Sequence, residues 1–403
     1  MVRPLAVIAD VVLGASTIPG EQGWYVLLED ARGVRFGVPG IVGGGRLRRA
    51  VPGDGVTAAL GALIAAGVDV PGLRITRFPP VPSGVAERAV DVDQTNELVV
   101  LGDDVVVKWL LHPTADEQPA PMRLATLARA GFTGTPRLLG LVELRSVGSP
   151  LIAMLSEYVP DTRDGWEWAV EEVRACALGE LEMSVALESA AAVGRLIADM
   201  HLALASAGEA AADDADVQGW TSRAVADVDA ADLGPDDDRA VRQLLAPIQH
   251  AAGSRVIDIH GDLHIGQILR SDTGAYYVID FDGSPVLDAV ERLWPAPPAR
   301  DVAGMLASLD HVGRVVLHRT PDLDDVARAR VIEWIGAAQT EFLSAYRVGL
   351  RAAGRLDLLN EELLLPFQAQ QECREFAYAA RYLPHWRYVP EAALPALLRQ
   401  GPR

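Results

Sequence analysis

The sequence has little of what several protein classes require. Its two cysteines, Cys176 and Cys373, are far apart and lack metal-ligand spacing, so neither a disulfide framework nor a zinc site is indicated. No apolar run approaches the roughly 20 residues that cross a bilayer. Acidic residues outnumber basic ones by 55 to 36, and the net charge of −19 argues against binding along nucleic-acid backbones. We therefore expect a cytoplasmic protein whose partners include neither nucleic acid nor membrane.

Lysine is the scarcest residue type. Lys108 is the only lysine among 36 basic side chains, and all the others are arginines. The two are not interchangeable where a compact ammonium must contact a phosphate as a point charge. The flanking sequence predicts a hairpin with strands at 94–101 and 105–110, joined by the turn Gly102–Asp104. Lys108 is therefore predicted on the return strand, as a phosphate contact.

The chain of 403 residues has room for two or three subdomains. Residues 1–85 mix alternating apolar residues with glycine-rich turns and predict a separate cap, whose first stretch we interpret as a strand of the mature protein because Asp10 interrupts it. The proline-rich stretch 78–82 marks a boundary. We expect a β-rich lobe over residues 86–160, followed by a larger α-rich lobe over residues 161–403.

Helical periodicity dominates the second half of the chain. The acidic stretch 205–239 predicts solvated helices and loops, with a mobile insertion or lid as the alternative. Two short strands, 255–259 and 275–280, interrupt the helices. The remaining predicted helices are 187–207, 301–312, 329–350 and 363–382.

Acidic and amide side chains follow both of these short strands. The motif His260–Gln267 follows the first, and Asp280 and Asp282 end the second. Phosphoryl transfer needs an in-line nucleophile, a carboxylate to accept its proton, and metal ions that neutralise phosphate oxygens. Asp262 would accept the proton, while Gln267 and Asp280 would hold Mg²⁺. Polar turns after buried strands also arise without function, but their order downstream of a strand lysine favours an ATP- and Mg²⁺-dependent kinase.

A helix near the carboxyl end carries a candidate acceptor site. Gln371, Glu375 and Tyr378 share one face because positions three and four apart are neighbours on a helix. Trp386 follows shortly after and could supply an aromatic platform for a sugar. The alternative is an amphipathic helix with a solvated face and Trp386 in the core.

The motif HGDLHIGQ followed by IDFDG resembles the catalytic core of aminoglycoside-phosphotransferase-like kinases. It is most similar to that of actinobacterial maltokinases, in which Gln267 would replace the more usual metal-binding asparagine. The resemblance implies an α+β, two-lobed, protein-kinase-like fold with an extra N-terminal cap subdomain.

The resemblance also implies roles for residues outside this motif. Met122 stands where maltokinases have a glutamate that can pair with the strand lysine. The alternatives are that Glu117 pairs with Lys108 from the preceding loop or that Lys108 is positioned without an ion pair. A loop that covers the phosphates is implied at Gln94, Thr95 and Asn96. A hinge that pairs with adenine is implied at Ser156, Glu157, Tyr158 and Val159. Residues that support the catalytic loop are implied at His260, Asp282 and Asp301.

The carboxyl-terminal segment QECREFAYAARYLPHWRYVP resembles the branch of maltokinase-like proteins that phosphorylates glucosamine. By this likeness a lysine of maltokinases becomes Gln371 and a glutamate becomes Ala379. The loss of a cation beside retained carboxylates would suit an acceptor with an ammonium group. His311 is a further candidate, with a buried structural histidine as the alternative. The predicted acceptor residues are Asp262, His264, Asp310, Gln371, Glu372, Glu375 and Trp386.

These observations predict a kinase that makes glucosamine 6-phosphate from glucosamine, ATP and Mg²⁺. The alternative with the same chemistry is a maltokinase that makes maltose 1-phosphate. An antibiotic phosphotransferase would share the core motifs but not the maltokinase-like ends. A pseudokinase that binds without turnover is disfavoured because Lys108, Asp262, Gln267 and Asp280 are all present.

Overall fold

The computed structural model describes residues 6–15, 21–29, 35–44, 46–78, 86–90, 96–114, 116–145 and 148–400. The chain divides into two compact units. Unit 1 comprises Met1–Ala128 and Pro136–Asp161, and unit 2 comprises Arg129–Thr135 and Thr162–Arg403. Lys108 therefore belongs to unit 1, whereas the whole His260–Gln267 motif belongs to unit 2.

Unit 1 contains two antiparallel sheets and two helices within its described residues. The strand orders are β1-β2-β3-β4 and β5-β9-β10-β8-β7-β6. The elements are β1 (Ala6–Ala15), β2 (Gln22–Glu29), β3 (Arg35–Gly43), β4 (Arg46–Arg49), α1 (Val56–Ala66), β5 (Leu73–Arg77), β6 (Glu87–Ala89), β7 (Glu97–Leu101), β8 (Val105–Trp109), α2 (Pro119–Arg129), β9 (Leu138–Leu144) and β10 (Leu151–Glu157).

The predicted hairpin is confirmed as β7 and β8. These strands pair antiparallel, with Lys108 opposite Leu98. Burial alternates along β8: Val105, Val107 and Trp109 are buried, whereas Lys108 on the other face is half-buried. This alternation follows from the two-residue repeat of a strand, which directs successive side chains to opposite faces.

The predicted cap and the β-rich lobe share one hydrophobic core. Tyr25 of β2 stacks on Trp109 with ring centroids 6.0 Å apart. The indole Nε1 of Trp109 donates to Thr57 Oγ1 of α1 at 3.1 Å. Both predicted parts therefore lie in one compact unit, and the boundary at residue 85 stays a prediction.

Unit 2 is mainly helical. The described helices confirm those predicted for the second half of the chain, and the acidic stretch forms α5 and α6, whose surfaces are largely exposed. The elements are β11 (Thr162–Arg163), α3 (Gly165–Leu178), α4 (Met183–Ala205), β12 (Ala210–Ala211), α5 (Asp214–Ala231), α6 (Pro235–Leu245), β13 (Arg255–Val256), β14 (Ile268–Ser271), β15 (Tyr276–Val278), α7 (Ala299–Arg319), α8 (Asp325–Ala352), α9 (Leu364–Arg381) and α10 (Tyr388–Leu398).

The two predicted short strands are shorter than expected. The first, β13, ends at Val256 because Ile257 instead bridges to Ala296. The second, β15, ends at Val278, so Asp280 lies in the connection that follows it. The extent predicted for both strands was wrong, and the motif residues lie on irregular backbone that neighbouring helices must hold.

Helices α4 and α8 approach each other closely through small residues. A Cβ on Gly194 would lie 2.3 Å from the carbonyl oxygen of Phe342, and one on Gly349 would lie 2.6 Å from the Cβ of Ala198. Glycine at these positions allows the two backbones to meet. Among the described residues, no helix is long and apolar enough to cross a membrane.

Candidate active site

The segment His260–Gln267, here called the catalytic loop, begins with two backbone amides bound to one carboxylate. The N–H groups of His260 and Gly261 donate to Asp301 Oδ2 and Oδ1, at 2.8 and 2.9 Å. Asp301 is 1% exposed, and although burial opposes its ionisation, the hydrogen bond from His201 helps to keep its pKa below the usual value. The placement of Asp301 agrees with its implied supporting role.

His260 joins the catalytic loop to the next segment. Its Nε2 donates to the carbonyl of Ile279 at 2.9 Å, and its Nδ1 accepts from the N–H of Asp262 at 3.3 Å. Its ring lies 4.8 Å from that of Phe281, measured between centroids. His260 therefore supports both Asp262 and the approach to Asp280.

A stripe of residues on α7 lies beneath the rest of the loop. Ser308 Oγ accepts from the N–H of Ile265 at 2.7 Å. A Cβ on Gly304 would lie 2.6 Å from the carbonyl oxygen of Leu263. Asp301, Gly304 and Ser308 are spaced three and four apart, which places them on one helix face. The helix thus contacts the loop along its length.

The other side of the catalytic loop contacts the start of α3. A Cβ on Gly165 would lie 1.7 Å from the carbonyl oxygen of Ile265. A Cβ on Gly266 would lie 2.7 Å from Nε1 of Trp166. Gly165 is therefore required because its backbone lies against the backbone of Ile265. Gly266 is required because its backbone lies against the indole of Trp166.

The carboxyl group of Asp262 in the catalytic loop is influenced by the negative charge of Asp280, which follows β15. Burial, followed by the negative charges of Asp280 and Glu375, raises the pKa of Asp262 to about 7. Asp280 has a φ of +64°, in the left-handed region that costs a non-glycine residue energy. Such strain persists only where the surroundings impose it, and it commonly accompanies function. Asp282, also predicted as support, is half-buried two residues further on.

Gln267 and His264 are in contact within the catalytic loop. His264 Nδ1 accepts from the N–H of Gly266 at 3.1 Å, and burial lowers the pKa of His264 to about 4. In the neutral ring Nε2 then carries the hydrogen. The amide nitrogen of Gln267 is placed 3.3 Å from His264 Nε2. Two donors cannot bond to each other, so we assign the opposite amide orientation, in which Gln267 Oε1 accepts from Nε2. An amide oxygen has two lone pairs, so it can accept this bond and still bind a cation.

The predicted metal ligands fit Mg²⁺ by their chemistry. Asp280 offers a carboxylate on strained backbone and Gln267 offers an amide oxygen. Within the described part of the chain, no group of three or more histidine, cysteine or acidic side chains could hold a metal ion. Mg²⁺ is usually held by one or two protein ligands together with waters and phosphate oxygens, so a sparse oxygen pair suits it.

The predicted acceptor face on α9 carries a braced carboxylate. Glu375 Oε1 accepts from Gln371 Nε2 at 3.0 Å, and Oε2 accepts from Trp386 Nε1 at 2.9 Å. Both donors are neutral, and the charge of Glu375 is one of the causes that raise the pKa of Asp262. Trp386 also contacts Trp166 edge to face, with ring centroids 5.5 Å apart. Gln371, Glu375 and Trp386 are therefore brought together.

Two other predicted acceptor residues already have internal partners. Glu372 is 2% exposed, and its Oε1 bonds to His311 Nε2 at 2.8 Å. Burial opposes protonation of His311, but the charge and hydrogen bond of Glu372 outweigh it and raise the pKa of His311 to about 9. Asp310 accepts two bonds from Arg314, at 2.8 and 3.0 Å. Neither carboxylate is arranged like that of Glu375.

Several residues of this site were missed by the sequence patterns. Arg374, one position before Glu375, donates to Asp227 Oδ2 at 2.8 Å, and its charge lowers the pKa of Asp262. His201 of α4 bonds to Asp301 at 3.1 Å. Ser308 has no motif at all. Each is a polar residue within a helical apolar pattern, and only the packing of helices indicates its partner.

The predicted nucleotide residues of unit 1 lie on and after its strands. Lys108 is half-buried on β8, and Asn96 directly precedes β7. Ser156 pairs in register with Val106. Gln94 and Thr95 lie outside the described residues.

The predicted hinge follows the end of β10. The N–H of Glu157 donates to the Arg137 carbonyl at 2.9 Å, and that of Tyr158 to the Asp104 carbonyl at 2.8 Å. These two amides are engaged within unit 1, so adenine would have to pair with other groups of Ser156–Val159.

Comparison with known sequences identifies a family. The pattern of the phosphotransferase enzyme family matches residues 80–314. The chain is 44% identical over 395 residues to a protein of Streptacidiphilus jiangxiensis named glucosamine kinase, covering 94% of this chain and 89% of that protein. It is 39% identical over 372 residues to a glucosamine kinase of Mycolicibacterium smegmatis (strain ATCC 700084 / mc(2)155), covering 89% and 91%.

Comparison with solved structures gives a concordant result. A glucosamine kinase in complex with glucosamine, ADP and inorganic phosphate is 41% identical, with a TM-score of 0.82, covering 99% of this chain and 95% of that one. A second crystal form of a glucosamine kinase is 41% identical with a TM-score of 0.84, covering 98% and 94%.

Proposed function

Because the chain belongs to the phosphotransferase enzyme family, we propose that it is a glucosamine kinase, which transfers the γ-phosphoryl group of ATP to the 6-hydroxyl of D-glucosamine. The predicted α+β fold of aminoglycoside-phosphotransferase-like kinases is confirmed by the family match and by the structural similarity. A structural relative binds glucosamine, ADP and inorganic phosphate. These likenesses support both the nucleotide and the sugar as substrates.

Asp262 is the proposed general base. It lies at the centre of a loop whose backbone is bound by Asp301 and Ser308, so its position is set before substrate arrives. A base works best when its pKa lies near the working pH, and the pKa of Asp262 is raised to about 7. The carboxylate would accept the hydroxyl proton as the sugar oxygen attacks phosphorus in line.

Gln267 and Asp280 are proposed to hold Mg²⁺. When bound, the ion neutralises charge on the phosphate oxygens. The chain's own contribution is to orient these two ligands. The contact with His264 restrains the Gln267 amide, and the left-handed backbone at residue 280 directs the Asp280 carboxylate. Lys108, Asn96 and the Ser156–Val159 segment stay predictions of ATP binding.

The choice of glucosamine as the acceptor rests on the carboxylate of Glu375. Its two oxygens accept hydrogen bonds from neutral donors, and its negative charge lies close enough to raise the pKa of Asp262. An ammonium group beside the reacting hydroxyl would be attracted to it. Glu372 is less suited to this role because its carboxylate is buried against His311, whose pKa is raised to about 9.

A coupled assay of ADP release tests the proposed function. The purified protein is offered ATP and Mg²⁺ with glucosamine, maltose, glucose, N-acetylglucosamine or a panel of aminoglycosides, and ³¹P NMR identifies the phosphorylated position. We expect glucosamine to give the highest kcat/KM and a 6-phosphate product. Turnover of maltose alone would overturn the choice of acceptor. ATP binding with no turnover of any acceptor would indicate a pseudokinase.

Replacing Glu375 tests the acceptor contact. We expect Glu375→Gln to raise the KM for glucosamine by about 10-fold or more, because a hydrogen bond to a charged group contributes about 1.5–3 kcal/mol. The KM for ATP should change little. Steady-state kinetics with glucosamine and with neutral glucose provide the measurement and its control, since the variant should lose its preference between the two. An unchanged KM for glucosamine would remove Glu375 from the ammonium site.

The pH dependence tests the base and its electrostatic neighbour. Asp262 must be ionised to act, so kcat/KM should fall as pH drops through the Asp262 pKa of about 7. Arg374→Gln removes a positive charge that lowers this pKa, so the acidic limb should move to higher pH. Arg347→Gln, which loses only a surface ion pair with Glu361, is the matched control. A limb that moves to lower pH, or equally in both variants, contradicts the assignment.

A further inference from the structure

We propose that Tyr346 is a positioning residue for the catalytic loop, acting through the tautomer and orientation of His201. The proposal rests on the proposed kinase function. Neither Tyr346 nor His201 belongs to a recognisable motif, and neither contacts the residues assigned to substrate or metal. Their role follows from a chain of buried hydrogen bonds that ends on the loop backbone.

These buried hydrogen bonds join side chains from three helices. The hydroxyl of Tyr346 on α8 lies 2.8 Å from Nδ1 of His201 on α4. The Nε2 of His201 lies 3.1 Å from Oδ2 of Asp301 on α7. His201 and Tyr346 are 0% exposed and Asp301 is 1% exposed, so water does not compete for these bonds. The same Oδ2 accepts the backbone N–H of His260.

The hydrogen bonds have a defined direction. An ionised Asp301 can only accept, so Nε2 of His201 must carry a hydrogen and donate it. Burial keeps the pKa of the Tyr346 hydroxyl well above its usual value, so the phenol stays protonated. In the part of the chain that the structure describes, that hydroxyl has no other acceptor than His201 Nδ1. Tyr346 therefore donates to Nδ1 and holds the neutral tautomer protonated at Nε2.

This tautomer is the one that satisfies every member of the chain. With the hydrogen on Nδ1 instead, the Nε2 lone pair would face the carboxylate of Asp301, which is repulsive, and the Tyr346 hydroxyl would be left without an acceptor for its hydrogen. Because Asp301 Oδ2 also holds His260, a rotated His201 would allow the carboxylate to turn. The start of the catalytic loop, two residues before Asp262, would then lose its fixed position.

A role in packing alone can be separated from this one. The ring of Tyr346 stacks on Phe342 and meets His201 edge to face, with centroids 6.4 and 5.6 Å apart. Tyr346→Phe keeps these ring contacts and removes only the hydroxyl. Tyr276→Phe is the matched control, because the hydroxyl of Tyr276 donates to Ser189 Oγ of α4 at 3.0 Å in the same unit, and this bond is not among the hydrogen bonds that hold the loop backbone.

Steady-state kinetics of both variants test the proposal. We expect Tyr346→Phe to lower kcat for glucosamine about 3- to 10-fold, the rate equivalent of one buried neutral hydrogen bond. The KM values for ATP and glucosamine should stay within about twofold, because the change affects the transition state rather than substrate binding. Tyr276→Phe should keep the wild-type kcat. An unchanged kcat in Tyr346→Phe, or an equal fall in the control, would overturn the proposal.

A spectroscopic measurement tests the same hydrogen bonds, from Tyr346 through His201 to Asp301, without requiring turnover. In ¹⁵N-histidine-labelled protein, NMR should show His201 as the neutral tautomer protonated at Nε2, with the signal assigned by its loss in His201→Gln. Tyr346→Phe should shift or broaden this signal, and Tyr276→Phe should not. A wild-type His201 protonated at Nδ1 would overturn the proposal. A wild-type protein that phosphorylates no sugar would contradict the proposed function, while the NMR result would still decide the role of Tyr346.

Discussion

Asp262→Asn is expected to lower kcat by at least about 100-fold while ATP affinity stays close to that of the wild type. General-base catalysis contributes about 10²–10⁴-fold, and an amide cannot accept the proton of the attacking hydroxyl. Asparagine keeps the size of the side chain, so the catalytic loop should keep its bonds to Asp301 and Ser308. Single-turnover phosphoryl transfer and a separate titration of nucleotide binding measure the two effects.

Asp272→Asn is the control for this change. Asp272 is exposed in the turn between β14 and β15, so its replacement alters the charge of the same unit without touching the loop. Near-normal turnover by Asp262→Asn would show that another group accepts the proton. Loss of nucleotide affinity in parallel with kcat would instead assign Asp262 a binding role.

Asp301→Asn is expected to lower kcat by about 100-fold, although Asp301 is assigned no contact with substrate. The carboxylate accepts from His260, Gly261 and His201, whereas an amide has one oxygen and must turn its NH₂ toward one of these donors. The loop would then shift, and a displacement of about 1 Å at a reacting group can cost about 10²-fold in rate.

The same variant should lose about 1–3 kcal/mol of unfolding free energy, which is the cost of leaving one buried donor without an acceptor. Urea denaturation and kcat measured on the folded fraction separate the two losses. Asp324→Asn is the matched control, because Asp324 caps α8 by accepting from Ala327 N–H, a role that asparagine fills equally well. Wild-type kcat in Asp301→Asn would mean that the loop is held by other contacts.

Much of the local structure follows from residue order. The hairpin that carries Lys108 was predicted from its alternating residues and its turn, and β7 and β8 confirm it. The long helices were predicted from their apolar period, and α4, α7, α8 and α9 confirm them. These features depend on neighbours a few residues apart, so the sequence records them directly.

The sequence did not predict where the short strands end. Residues 255–259 carry a strand pattern, yet β13 ends at Val256, since the next residue bridges to Ala296, some 40 positions away. Such a partner leaves no local signal. The left-handed backbone of Asp280 is likewise imposed by its surroundings, because the residue type alone disfavours it.

The acceptor face shows the same division. Gln371 and Glu375 could be placed together by helical spacing, and their hydrogen bond agrees with that placement. Glu372 belongs to the same sequence motif, but the structure buries it against His311 of another helix, 61 positions earlier. Charge and spacing did not distinguish the two glutamates. Only the rotation of α9 against α7 decides which carboxylate is paired internally and which is braced by Trp386.

By itself, the sequence determined the class of chemistry, because the groups that transfer a phosphoryl group occur in short motifs with a recognisable order. The tertiary structure decided how those groups are held. Asp301, Ser308 and Gly304 contact the catalytic loop from α7, and His201 and Tyr346 reach Asp301 from α4 and α8. These contacts join residues far apart in the chain, and a buried polar side chain in a helical pattern looks the same whichever partner it meets.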